Sequence, residues 1–196
     1  MHTQTQYGWT SPQVIAGIVA MAIIVAASNY LVTIPVTSIF GVDMNAAMGF
    51  AFSDYVQWAA FSYPIAFLVT DIMNRVYGPG AARRVIAVGF IFGVVLSWYL
   101  GDPRIALASG TAFLVAQMLD VSVFDRMRDG VWWKAPLVSS VIAGTVDSLL
   151  FWTLAFYASD FAGWWNYGLV DWAVKLTITI AMLIPFRAAT YSLRTA

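Results

Sequence analysis

The sequence predicts an all-α integral membrane fold of six transmembrane helices, and three observations carry that expectation. First, 61% of the 196 residues are hydrophobic and only 10% are charged. A soluble domain carries about 25% charge and covers itself with it. The mean hydropathy of +0.76 agrees. Second, the apolar residues fall into runs of about 20, the length that crosses a bilayer at about 1.5 Å per residue. Third, the basic residues gather in alternate connections, as the positive-inside rule requires of a multi-pass protein. One transmembrane domain over residues 1–196 leaves no room for a second folded unit.

The spans follow in order. The first runs from Val14 to Phe40. Its leader has no Lys or Arg, and its apolar stretch continues well beyond the roughly 7–15 residues of a signal peptide, so it reads as a membrane helix. Its Ala16, Gly17 and Ala20 give the small-residue spacing of a close helix contact, or are ordinary residues of an apolar helix. Residues Gly41 to Asp54 read as a loop or a short surface helix. The second span is Val56 to Val76, closed by the turn Tyr77-Gly78-Pro79-Gly80. The third is Arg84 to Leu100, and Gly101-Asp102-Pro103 turns the chain into the fourth, Arg104 to Phe124. The fifth is Ala135 to Ala158 and the sixth Gly168 to Ala188. Pro35, Pro64 and Pro185 fall inside spans, where neighbouring helices can re-satisfy the freed carbonyls.

Charge orients the bundle. With the N-terminus in the cytoplasm, the inner connections hold Arg75, Arg83, Arg84, Arg126, Arg128, Lys134, Arg187 and Arg194. The outer side holds Arg104 with Asp43, Asp54, Asp102 and Asp160. Both termini are therefore expected in the cytoplasm. The nine Trp suit interfacial belts.

Function classes narrow quickly. There is no Cys, all ten acids are Asp, and the one His is His2. Thiol catalysis, disulfides and most transition-metal sites drop out, and no cofactor is expected. Net charge is zero, so no basic field is offered to nucleic acid. No HExxH, phosphate loop or nucleophile–base pair is present, so neither an enzyme nor a self-contained ATPase is expected.

Seven polar side chains remain inside or at the ends of the apolar runs: Asn29, Asp71, Asn74, Gln117, Asp120, Asp147 and Lys175. A charge at bilayer depth costs at least about 2.5–3.5 kcal/mol on insertion scales, and such residues usually mark a binding or transport path. Counting the helix rise sorts them into two levels. Asp147 and Lys175 lie about 18–20 Å above the inner face on consecutive antiparallel helices, with Asn29 at about 24 Å. Asp71 with Asn74, and Gln117 with Asp120, are pairs three apart, each sharing a helix face, at about 6–12 Å. Asp147–Lys175 is a packing ion pair or the lining of a pocket. Asp71 can pair with Arg75 four residues on, or serve the site. Asp171 at the outer boundary can belong to either class. A carboxylate can accept two N–H groups of a guanine-like edge, and an amide beside it donates and accepts. Tyr63, Phe67, Phe113 and Phe151 are placed to stack on such a ring or to pack the core.

The same residues carry a resemblance. The run from Ser62 through Tyr63-Pro64 and Thr70-Asp71-Ile72-Met73-Asn74-Arg75-Val76-Tyr77-Gly78, with Ala82-Arg83-Arg84-Val85-Ile86 after it, resembles the signature of the queuosine precursor transporters, also called vitamin uptake transporters. Ala108-Ser109 and Ala112-Phe113 leading to Gln117-Met118-Leu119-Asp120, then Asp147-Ser148-Leu149-Leu150-Phe151, extend it. Asn29, Lys175 and Pro185 complete it in order over nearly the whole chain. The chain departs from the family pattern at Arg75, where an acid is usual, and at Gly144, where Gln is frequent.

The resemblance implies a bacterial inner-membrane importer of the 7-deazaguanine bases preQ0 (7-cyano) and preQ1 (7-aminomethyl), which feed queuosine modification of tRNA. It implies a fold similar to the substrate-binding subunits of energy-coupling-factor transporters, and the seven polar residues as the substrate site. The partners expected are the deazapurine and the lipid bilayer. Homo-oligomerisation, separate energising subunits and another vitamin or nucleobase as ligand stay open.

Overall fold

The computed structural model describes residues 7–100 and 102–195. His2, Gly101 of the third connection and the side chain of Arg194 lie outside the described residues. Six long helices carry the fold. They are α1 (Pro12–Leu31), α4 (Ala59–Tyr77), α5 (Pro79–Leu100), α6 (Pro103–Met127), α7 (Lys134–Phe156) and α8 (Trp164–Thr195). A two-stranded hairpin, β1 (Ser38–Ile39) and β2 (Val42–Asp43), stands between α1 and α4, with short helices α2 (Met44–Met48) and α3 (Phe52–Tyr55). The protein is an all-α membrane protein.

The helices form a closed ring in the order α1, α5, α6, α7, α8, α4, with α4 also against α5 and α6. Helix α4 is thus the hub. Among the described residues, five helices are long and apolar enough to cross a membrane; α4 falls short of that measure. Its position explains the deficit. Ser62, Pro64, Ala66, Phe67, Thr70, Asp71, Met73 and Asn74 are all buried, so α4 shows little surface to lipid and its side chains need not be lipid-soluble. At 19 residues it is about 28 Å long, close to the hydrocarbon thickness.

The other helices turn apolar stripes outward. Ile15, Val19 and Ile23 on α1, Ile91 and Val95 on α5, and Ile180 and Ile184 on α8 are exposed. On a soluble protein such stripes would aggregate; in a bilayer they face chains as apolar as themselves. On α1 the inward stripe is Val14, Gly17, Met21, Val25 and Ser28. Of the expected small-residue face, Gly17 packs inward, where a Cβ would stand 2.8 Å from Val85 Cγ2. Ala16 faces outward.

The first span is shorter than its apolar run predicts. Helix α1 stops at Leu31, not Phe40, and Pro35 lies outside any helix, bridged to Gln57. Pro35 cannot donate to a helix and restricts Ile34 before it. Phe40 and Gly41 then both take positive φ, 50° and 79°, as the tight hairpin turn requires. Residues 34–36 pair instead with 56–58: Val36 N donates to Val56 O at 2.9 Å, and Trp58 N to Ile34 O at 2.9 Å. Val36, Phe52 and Val56 make a small core against Val170 and Val174 of α8. The apolar residues after Leu31 therefore cap one end of the bundle. The Gly41–Asp54 stretch holds the expected short helix, with the Asp43 carboxylate accepting from Asn45 N and Ala46 N.

Candidate functional site

A cavity of about 990 Å³ opens at the capped end of the bundle and runs down between α1, α4, α5, α6, α7 and α8. It reaches the surface at Tyr30, Val32 and Asp102, which are exposed. Its deeper wall holds Tyr63, Ser109, Asp147, Phe151, Asp171 and Lys175.

Lys175 and the two aspartates make one unit. Lys175 sits on α8, and its Nζ lies 2.8 Å from Asp147 Oδ2 of α7 and 2.7 Å from Asp171 Oδ2 of its own helix. Asp171 is one turn before Lys175, the spacing that puts both on one helix face. Nζ also donates to Ser148 Oγ at 3.3 Å. Ser148 in turn donates to Asp171 Oδ2 at 2.8 Å, and Trp152 Nε1 to the same oxygen at 3.4 Å. The ammonium stands 5.5 Å from the Tyr63 ring centroid, within cation–π range. The lysine is therefore neutralised twice over. Asp147 Oδ1, in contrast, is buried and has no hydrogen-bond partner.

Asn29 lines the same cavity from α1 but apart from this unit. Its Nδ2 donates to Val25 O at 2.9 Å, and its Oδ1 accepts from Ser97 Oγ at 2.7 Å, tying α1 to α5.

The other four predicted residues form a separate layer toward the opposite end. None of them lines the large cavity. Ser140 Oγ of α7 lies 3.3 Å from Asp71 Oδ2 and 3.4 Å from Asp120 Oδ1, joining α4, α7 and α6. Thr70 donates to Gln117 Oε1 at 2.8 Å, and Asn74 Nδ2 to Val121 O at 3.1 Å. Asp71 Oδ1, Asp120 Oδ2, Asn74 Oδ1 and Gln117 Nε2 are left buried without a hydrogen-bond partner. A cavity of about 10 Å³ adjoins this layer, beside Asp71 and Ser140. That is about the volume one water needs. Arg75 donates to the carbonyls of Arg128 and Trp132 and lies 5.4 Å from the Phe124 ring centroid.

Depth counting thus anticipates two levels, and the structure brings together Asp147 with Lys175, and Asp71 with Asp120. It does not bring Asn29 to Lys175, nor the two layers into one pocket. Asp171, Ser148 and Ser140 complete the two clusters. On sequence alone Asp171 stays open at the outer boundary, and its i,i+4 spacing from Lys175 is the signal that could have placed it; the serines carry no sequence signal in an apolar helix. Of the four candidate aromatics, Tyr63 and Phe151 face the cavity, while Phe67 and Phe113 pack core clusters.

Chemically, the deep wall holds a buried carboxylate with one unpartnered oxygen, a fixed cation and aromatic faces. Groups of these kinds can hydrogen-bond and stack on a polar heterocycle.

Comparison with known proteins agrees. A family described as "Putative vitamin uptake transporter" matches residues 57–101 and 97–189. The chain is 33% identical to the "Queuosine precursor transporter" of Escherichia coli, over 83% of this chain and 79% of that protein. It is 34% identical to the "Probable queuosine precursor transporter" of Haemophilus influenzae, over the same shares. No solved structure matches it. With a cavity built for a small polar solute inside a membrane bundle, the chain belongs to the vitamin uptake transporter family, the queuosine precursor transporters.

Proposed function

We propose that the chain imports the queuosine precursors preQ0 and preQ1 across the bacterial inner membrane for tRNA queuosine modification. The relatives' names supply the substrate class. The observation in its favour is Asp147 Oδ1, a buried carboxylate oxygen without a partner in the deep wall of a cavity of about 990 Å³. Leaving such an acceptor unmet costs about 1–3 kcal/mol or more, and an N–H of a deazaguanine would meet it once the carboxyl turns into the cavity. Tyr63 and Phe151 would stack on the ring, and Lys175 would hold Asp147 in place.

The cavity lining carries Asp54, Asp102, Asp147 and Asp171 against Lys175. That excess of negative charge favours the cationic aminomethyl base preQ1 over the neutral cyano base preQ0. In this reading α4 is the second of six spans, the chain forms one transmembrane domain, and both termini are cytoplasmic.

The test is uptake of labelled preQ1 by cells lacking their own importer. Asp147→Asn at equal expression should abolish most of it, while Asp160→Asn, at the bundle's end, should not. Equal uptake by wild type and Asp147→Asn would sink the site.

A further inference from the structure

The buried layer around Asp71 and Asp120 is cut off from the cavity, and its chemistry differs from that of a solute site. Its adjoining cavity, about 10 Å³, holds no organic molecule. Yet it collects two carboxyl groups, each nearly completely buried, at 3% and 0% exposure. They lie within hydrogen-bonding reach of each other. Ser140 sits between them with one hydroxyl hydrogen for two acceptors, at 3.3 and 3.4 Å. Each carboxyl keeps one oxygen with no hydrogen-bond partner.

The charges around the pair can be summed by element. Helix α4 brings Asp71 and Arg75, whose charge reaches Asp71. Helix α6 brings Asp120, and α7 the hydroxyls of Ser139 and Ser140. Helix α8 brings Thr179 and the apolar Met182, Leu183 and Phe186 to the cavity beside Asp71. Two carboxylates against one guanidinium leave one negative charge, and an uncompensated charge at this depth is costly. One proton removes it. A metal cation fits poorly, since a hard cation takes about six oxygen ligands and the adjoining wall is largely apolar.

Helix α7 joins the two layers. Ser140 and Asp147 are seven residues apart on one face, about 10 Å along the helix. Gly144 stands between them, buried, and a Cβ there would meet no atom within 4 Å.

We propose that Asp71, Asp120 and Ser140 form a proton site, separate from the substrate cavity, that carries one proton per transport cycle. The proton bonds to one carboxylate oxygen and is hydrogen-bonded by the other carboxyl; its release breaks that O–H bond alone. The coupling role rests on the transporter reading above; the proton site itself does not.

Infrared spectroscopy of the substrate-free chain in lipid tests the site. Wild type should show the C=O stretch of a protonated carboxyl. Asp120→Asn should lose it, because Asp71 then faces Arg75 alone, and Asp71→Asn should shift it, because Asp120 loses the carboxyl that shares its proton. Asp147→Asn should keep it. Ser140→Ala, which retains both carboxyls, should shift the band without removing it and so covers an Asn variant that fails to fold. No band in wild type, or a band unchanged by all of these variants, overturns the proposal. In proteoliposomes, preQ1 entry should carry protons inward and follow an imposed pH gradient. Entry without proton movement, or driven by a sodium gradient, overturns the coupling role. A wild type that shows the band but does not bind preQ1 refutes the substrate reading and leaves the proton site standing.

Discussion

At the scale of single residues, the unit around Lys175 decides the chemistry of the cavity. Its ammonium is held by Asp147 and Asp171 at once. Removing one partner of a buried ion pair costs about 3–5 kcal/mol, because the other charge is left uncompensated. Lys175→Met should therefore lower the thermal midpoint sharply, since two carboxylates lose their cation. The double variant Asp147→Asn/Lys175→Met should recover part of that stability and none of the uptake. Equal midpoints for the single and double variants would contradict the coupling within the unit. Much of this unit was legible in the sequence. Counting helix rise puts Asp147 and Lys175 at one depth, and i,i+4 spacing puts Asp171 beside them. The sequence could not tell that Asn29, at nearly the same depth, would turn to Ser97 of α5, because rotation about a helix axis is set by packing.

At the scale of elements, close approach between helices sets the frame. A Cβ on Gly110 of α6 would lie 2.4 Å from Val94 Cγ2 of α5, a stiff β-branched side chain. Overpacking of this kind costs about 1–3 kcal/mol. At Gly144 a Cβ meets no atom within 4 Å, and Ala is better than Gly in a helix interior by up to about 1 kcal/mol. Gly110→Ala should thus lower the melting temperature of the purified chain, and Gly144→Ala should hold or raise it. The opposite order would mean that α5 and α6 do not pack as described. Neither difference is visible in the sequence, where both are small residues in apolar runs. The end of the first helix was misread for a related reason. Val32 to Phe40 prolongs the apolar run of the first span, but its Val36 and Ile39 pack over the bundle end with Phe52, Val56 and α8. Helix α4 shows the converse: its apolar run reads as the second span, yet it is too polar to register as one on composition.

At the scale of the whole molecule, charge separates the two ends. Arg75, Arg83, Arg84, Arg126, Arg128, Lys134 and Arg187 lie at or near one end of the ring, and Asp43, Asp54, Asp102 and Asp160 with Arg104 at the other, where the cavity opens. On the positive-inside rule we propose that the basic end is cytoplasmic and the cavity faces outward. The chain has no cysteine, so single-cysteine variants report this directly. A membrane-impermeant thiol reagent should label Asp160→Cys in intact cells and Gly130→Cys only after permeabilisation. The reverse pattern would invert the molecule and turn an importer's cavity toward the cytoplasm. This arrangement was largely legible, because charge asymmetry between connections depends on sequence order alone. The volume of the cavity was not, since it comes from side chains of all six long helices, which meet only in the fold.

The central claim is that a queuosine precursor occupies the cavity by donating to Asp147. Calorimetric titration of the purified chain with preQ1, for wild type and Asp147→Asn, tests it most directly. Loss of a hydrogen bond to a charged acceptor is worth about 1.5–3 kcal/mol, so Kd should rise about ten-fold or more, with preQ0 binding the wild type more weakly than preQ1. An unchanged Kd in a folded Asp147→Asn variant would contradict the account.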